Sequence, residues 1–261
     1  MSTRILAFEG VDNFRDFGDY ATAAGRRIHP GRLYRSANHA MATDADLEAI
    51  AGLRLAVMVD LRRPEERGRA PNRRPEACDA AVITNDIDEN PDDPDPWATF
   101  LKGSDLTPAS FRGYLMTYYR EAPFKRRHLD LFARYFRALG EADGPVLIHC
   151  AAGKDRTGVL AALTHHLAGV HRDDITEDYL LTNDEARFER RAPMVLQHLA
   201  EATGRTPKDD VVRLVMGVEA PFLDQALDAM TEAHGSVDAY LRHALGVDAA
   251  LREKIETRLL A

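Results

Sequence analysis

The chain has 261 residues, is 45% hydrophobic and carries a formal net charge of −8. That is ample apolar material for a buried core, and the acidic balance argues against a general nucleic-acid binder, whose affinity comes from Lys and Arg set against phosphates. No stretch approaches the roughly 20 apolar residues of a transmembrane segment, and the start has too short an apolar run for a secretory signal. With two cysteines a disulfide framework is not expected, which makes the cytoplasm the default compartment and leaves open only secretion without a cleaved signal.

In chain order, residues 5–8 and 33–34 read as short strands, with a hairpin turn at 23–27 between them. Thr43 supplies a capping oxygen for a helix with acids in its first turn and Leu47 and Ile50 further along. Residues 53–61, with Leu55, Val57, Met58 and Val59, read as a strand, and residues 80–84 as another. Residues 85–96 hold five Asp, one Glu and three Pro and read as a loop. It begins like a calcium loop at Asp86, Asp88 and Asn90, but Pro91 stands where glycine is needed and Trp97 where a bidentate Glu is needed. Two helical stripes follow: Phe111, Tyr114, Leu115 and Tyr118 over 108–120, then Leu129, Phe132, Phe136 and Leu139 over 125–139. The apolar run 145–148 reads as a buried strand, and Val159, Leu160, Leu163 and Leu167 as the helix after it. In that helix His165 and His166 read as one packed and one surface histidine. Residues 173–181, 184–202, 207–216, 220–234, 237–245 and 249–260 read as helix. This order predicts an α/β fold: a mostly parallel central sheet flanked by helices, with a helical C-terminal extension. One domain is expected over residues 1–261, with about 184–261 a helical extension or lid.

Between that strand and helix lies His149-Cys-Ala-Ala-Gly-Lys-Asp-Arg-Thr-Gly158. Cys150 is expected at the strand-to-helix turn, facing unpaired N–H donors and the positive end of the helix dipole. Such a site binds anions and favours thiolate over thiol, the form that acts as nucleophile. Arg156 offers a planar fork that fits two phosphoryl oxygens. Ala151, Ala152, Gly153 and Lys154 would present backbone amides, with Gly153 allowing the inward turn. Thr157 is placed to donate to the sulfur, and His149 to fix the loop by hydrogen bonds. A nucleotide-binding Walker loop fails, because Ile148 stands where its first glycine belongs and Asp155, not Ser or Thr, follows Lys154. Zinc lacks any Cys-x2-Cys pair.

The loop resembles that of the cysteine-dependent protein tyrosine phosphatases, and its Lys-Asp pair before the arginine is similar to the bacterial atypical tyrosine/lipid phosphatases. Asn13-Phe-Arg-Asp-Phe-Gly18, Gly31-Arg-Leu-Tyr-Arg-Ser36, Val59-Asp-Leu-Arg62, Tyr179-Leu-Leu-Thr-Asn183 and His234-Gly-Ser-Val-Asp-Ala-Tyr240 resemble further blocks of that family, so nearly the whole chain is covered. The resemblance implies hydrolysis of a phosphotyrosine protein or phosphoinositide through a phosphocysteine, with inorganic phosphate as product and neither a metal nor an organic cofactor. It makes Asp60 and Arg62 pocket-wall or supporting groups, and implies a helical lid, expected within residues 188–217. A dual-specificity enzyme is the nearest alternative, and a phosphate-binding protein without turnover a more distant one.

No Trp-Pro-Asp loop supplies the general acid. Asp155, inside the phosphate loop, is the favoured candidate, and Asp86 or Asp88 the alternative, just after the strand at 80–84. Lys154 adds a second positive charge beside the phosphate, with Arg32, Arg35, Arg62 or Arg63 as conceivable partners for a second phosphate.

Overall fold

A computed structural model, describing residues 4–75, 78–87 and 95–261, contains strands β1 (Arg15–Asp16), β2 (Leu33–Ser36), β3 (Val57–Asp60), β4 (Ala81–Ile83) and β5 (Val146–His149). They form one sheet in the order β1-β2-β5-β3-β4. Only the β1–β2 pair is antiparallel. β5 is central and buried throughout, as expected of a parallel strand covered on both faces. Its register with β2 and β3 sets Ser36 on one side of His149 and Asp60 on the other. The carboxyl ends of three strands therefore converge where a sheet of this type binds ligands.

The helices are α1 (Asp44–Gly52), α2 (Pro64–Arg69), α3 (Pro96–Gly103), α4 (Pro108–Glu121), α5 (Arg126–Glu141), α6 (Asp155–Ala168), α7 (Arg172–Leu180), α8 (Glu185–Thr203), α9 (Asp209–Met216), α10 (Ala220–His234), α11 (Val237–His243) and α12 (Ala249–Leu259). Thr43 caps α1 in a reciprocal capping box with Asp46. The mostly parallel sheet and the helical C-terminal third agree with the sequence reading.

Four local expectations are corrected. Residues 5–8 make no strand, only a bridge from Ile5 to Arg15, and the strand that pairs with β2 is the polar Arg15–Asp16. Of residues 53–61 only the second half is strand, because the turn ending α1 carries Arg54 at φ 50°. α2 and α3 were not expected. Each opens with proline in its first turn: Glu66 accepts from the Arg63 amide in α2, and the Asp95 side chain accepts from Ala98 N in α3. Trp97 and Phe100 of α3 then pack on Phe111 and Tyr114 of α4.

The main core runs from Phe17 to Leu260 and includes α5, α6 and the C-terminal helices. A smaller cluster with Phe14, Tyr34, Met58 and Leu147 fills the other side of the sheet under Ile50 of α1. α6 is buried on almost every face, as a helix enclosed by others must be. His165 is fully buried and bonds the Phe17 carbonyl, whereas His166 is partly exposed beside Asp238, as expected. α8 is packed thinly for its length. It buries only Arg187, Phe188 and Leu199 and leaves Met194 56% exposed.

Candidate active site

Residues 150–154 turn the chain from β5 into α6. Gly153 has φ 67°, and a Cβ there would lie 2.4 Å from the Ser36 carbonyl, so only glycine fits. The loop's carbonyls are held from outside. Ala151 O accepts from the Asn38 amide (3.1 Å) and its Nδ2 (2.8 Å), and Gly153 O from Asn13 Nδ2 (2.8 Å) and Arg35 Nη2 (3.0 Å). Asn13 Nδ2 also reaches Ala152 O at 3.4 Å. In a planar trans peptide the following N–H points opposite to its carbonyl. The amides of Ala152, Gly153 and Lys154 therefore point inward, and among the described residues none meets an acceptor. They line the same turn as Cys150, itself 1% exposed, together with the first amides of α6.

Asp178 of α7 anchors the struts that hold this loop. It pairs with Arg35 (2.6 Å) and Arg15 (3.2 Å), and Arg15 also donates to the Asn13 side chain. Burial pushes the Asp178 carboxyl up, but Arg15 and Arg35 outweigh it and hold the group well below its usual range. Beneath the loop His149 stacks on buried His39 at 5.2 Å and contacts Asn72 at 3.2 Å. Burial lowers the pKa of both histidines. Asp60 and Arg62 form a buried pair at 2.7 Å beside His149. Neither adds a free charge to the loop.

Arg156 is bound by a residue that the motif does not contain. Its Nη1 and Nη2 donate to Glu66 Oε2 (2.5 Å) and Oε1 (2.7 Å), and Nη1 also reaches Leu61 O at 3.3 Å. Burial would push the Glu66 carboxyl up, but Arg156 holds it well below the ordinary range. A guanidinium has five N–H donors. Glu66 and Leu61 use three, so the Nε edge, with one Nε–H and one Nη2–H, remains as a two-point donor. Glu66 is in turn oriented by the Arg63 amide at 2.8 Å. A proline at the helix start with glutamate two residues on was the sequence signal for it.

The profile of the tyrosine phosphatase family matches residues 6–261. The chain belongs to the tyrosine phosphatase family. It is similar to a candidate tyrosine-protein phosphatase of Cupriavidus necator (37% identity, 94% of this chain and 85% of that one) and to the triple specificity protein phosphatase of Mycobacterium tuberculosis (32% identity, 96% and 97%). A tyrosine-protein phosphatase of Nostoc commune is 29% identical over 57% of this chain and 47% of its own. The protein is thus a cysteine-dependent phosphatase, its family works through a phosphocysteine, and its substrate is phosphorylated.

In this phosphatase Asp155 is the first residue of α6. Its Oδ1 accepts from Tyr119 Oη at 2.7 Å and its Oδ2 lies 3.6 Å from Lys154 Nζ. The Thr157 hydroxyl is buried without a hydrogen-bond partner, so the expected bond to the Cys150 sulfur is not made here. Asp86 is exposed and paired with Arg67, and Asp88 lies outside the described residues. Tyr118, read from sequence only as part of an apolar stripe, has Arg156, Asp155, Cys150 and Glu66 acting on its phenol, and burial raises its pKa.

Lys154 is held by the end of α9 as well as lying near Asp155. Its ammonium donates to Val215 O (2.7 Å) and Gly217 O (3.1 Å), while Arg187 Nη1 takes Met216 O between them (3.0 Å). Two cations thus cap the C-terminus of α9, where the helix dipole is negative. Of the residues considered as partners for a second phosphate, Arg35 is committed to Asp178, Arg62 to Asp60, and Arg63 to Asp95 and Glu66. Lys154→Met keeps the stem and removes these bonds. Hydrogen exchange across residues 209–217 of the phosphatase should then quicken about ten-fold, the loss expected for charged hydrogen bonds. Unchanged protection would mean that the ammonium does not hold α9.

Among the described residues no cluster of three or more His, Cys, Asp or Glu is arranged to hold a metal ion, and no helix is long and apolar enough to cross a membrane.

Proposed function

We propose that this phosphatase hydrolyses phosphotyrosine in proteins, with Cys150 as nucleophile, Arg156 and the loop amides as phosphoryl ligands, and Asp155 as general acid. The Cys150 sulfur attacks phosphorus, the ester P–O bond breaks, and the leaving oxygen takes a proton from Asp155. Water then attacks the phosphocysteine, the S–P bond breaks, Asp155 takes a proton from the water, and inorganic phosphate departs. The reading rests chiefly on the outward-tied carbonyls of the loop, which turn its amides to the side where charge builds on the phosphoryl oxygens. The unpartnered Thr157 hydroxyl supports a role in bonding the sulfur as it leaves in the second step. His149, Asp60 and Arg62 act as supports beneath the loop. A reducing compartment, the cytoplasm, suits a nucleophile that must remain a thiol.

α8 and α9 are the lid in this reading. α8 packs sparsely, and its first half is tied through Arg190 and Arg191 to Asp12, the neighbour of Asn13. A broader substrate range, including phosphoserine, phosphothreonine or phosphoinositides, is the second reading, favoured by the triple specificity of the Mycobacterium relative. Parallel turnover measurements on a phosphotyrosine peptide, a phosphothreonine peptide and a phosphoinositide decide between the two.

Asp155→Asn tests the acid. It should lower kcat/KM for phenyl phosphate about 10²- to 10³-fold and abolish the alkaline limb of its pH profile, with little effect on 2,4-dinitrophenyl phosphate, whose leaving group needs no proton. Equal losses on both esters would remove Asp155 from that role.

A further inference from the structure

Asp155 stands at the end of a chain of buried hydroxyls. Tyr119 of α4 donates to Asp155 Oδ1 at 2.7 Å, and the Tyr179 hydroxyl of α7 lies 2.6 Å from that of Tyr119. A phenol has one proton. Since Tyr119 spends its proton on Asp155, Tyr179 must be the donor to Tyr119, and the chain runs in one direction from α7 through α4 to α6. Both rings are locked. Tyr119 is fully buried and stacks on Phe222 at 5.6 Å, and Tyr179 is 1% exposed. A Cβ on Gly158 of the loop motif would lie 2.8 Å from the Tyr179 ring, so α6 and α7 approach too closely at that point for any side chain. Burial and the Asp155 charge raise the pKa of both phenols and keep them protonated as donors.

We infer that Tyr119, backed by Tyr179, is a positioning residue for the general acid: it takes Asp155 Oδ1 and so leaves Oδ2 as the oxygen that exchanges a proton with the leaving group and then with water. This inference rests on the role proposed above for Asp155. The carboxylate of a surface aspartate rotates. One whose Oδ1 accepts a hydrogen bond from a fixed donor, with only the longer 3.6 Å contact of the Lys154 ammonium at Oδ2, presents that second oxygen in the same place in both steps, and misplacement of a reacting group by about 1 Å can cost about 10²-fold.

The test is kcat/KM, which reports the first step, for phenyl phosphate against 2,4-dinitrophenyl phosphate. Tyr119→Phe removes one oxygen and keeps the ring. It should lose about ten-fold on phenyl phosphate and less than about two-fold on the dinitrophenyl ester, and it should cost nothing further in an Asp155→Asn background. Tyr179→Phe should show the same split at smaller size. It also carries the comparison if Tyr119→Phe does not fold. Equal losses on the two esters, or losses that add to those of Asp155→Asn, would make the tyrosines structural and overturn the inference. A flat profile in Asp155→Asn itself would instead remove the general acid beneath it. A steep profile in Asp155→Asn with a flat one in Tyr119→Phe would remove only the positioning role.

Discussion

Cys150→Ser should abolish turnover and leave phosphate binding nearly intact. The loop amides and the Nε edge of Arg156 do not depend on the sulfur, so inorganic phosphate should bind within about ten-fold of its normal affinity in titration calorimetry. A serine hydroxyl is not ionised near neutral pH, Asp155 must be protonated to serve the first step, and the neighbouring His149 does not serve as a base for it: burial keeps it neutral, but its ring contacts Asn72 and Asp60 rather than the side chain at 150. A loss of at least about 10⁴-fold in kcat is expected, about 5.5 kcal/mol of barrier. Robust hydrolysis by this variant would overturn the proposed mechanism, because no other cysteine is near. Cys78 packs with the smaller core cluster on the other side of the sheet.

Arg156→Lys should be the next most damaging change. Lysine keeps a positive charge for Glu66, so the ion pair survives in part and the fold should be retained, with only a modest fall in melting temperature. A point charge cannot bind Glu66 on one edge and a phosphoryl group by two parallel bonds on the other. A loss of about 10³-fold in kcat is expected, about 4 kcal/mol, as for removal of a main donor to an oxyanion. Because the missing contacts strengthen as charge builds in the transition state, kcat should fall more than KM rises. Activity within ten-fold of the wild type would mean that the Nε edge does not contact the phosphate.

Much of this site could be read in the sequence because it is local. The proposed nucleophile, phosphoryl ligand and acid, Cys150, Arg156 and Asp155, lie within one turn, and a strand ending at His149 with an apolar helix beyond it was enough to place them. Three of the blocks of family resemblance meet around the loop. Asn13, Arg35 and Ser36 surround Gly153, and Asp60 and Arg62 pair beside His149. Lys154 shows the limit. From sequence it was a second charge for the phosphate, but α9, about sixty residues away, brings carbonyls to its ammonium. Those carbonyls are an alternative anion-like partner that no local pattern announces.

The sequence alone determined the α/β class, the mostly parallel sheet and the strand-to-helix loop that carries Cys150 and Arg156, since each follows from periodicity, turn chemistry or spacing within a few residues. The tertiary structure alone decided the partners: Glu66 for Arg156, Tyr119 and Tyr179 for Asp155, Asp178 for Arg15 and Arg35, and the end of α9 for Lys154. These are contacts between distant segments, made by polar groups that must be satisfied once buried. Which donor meets which acceptor depends on how the helices pack around the carboxyl ends of β2, β5 and β3.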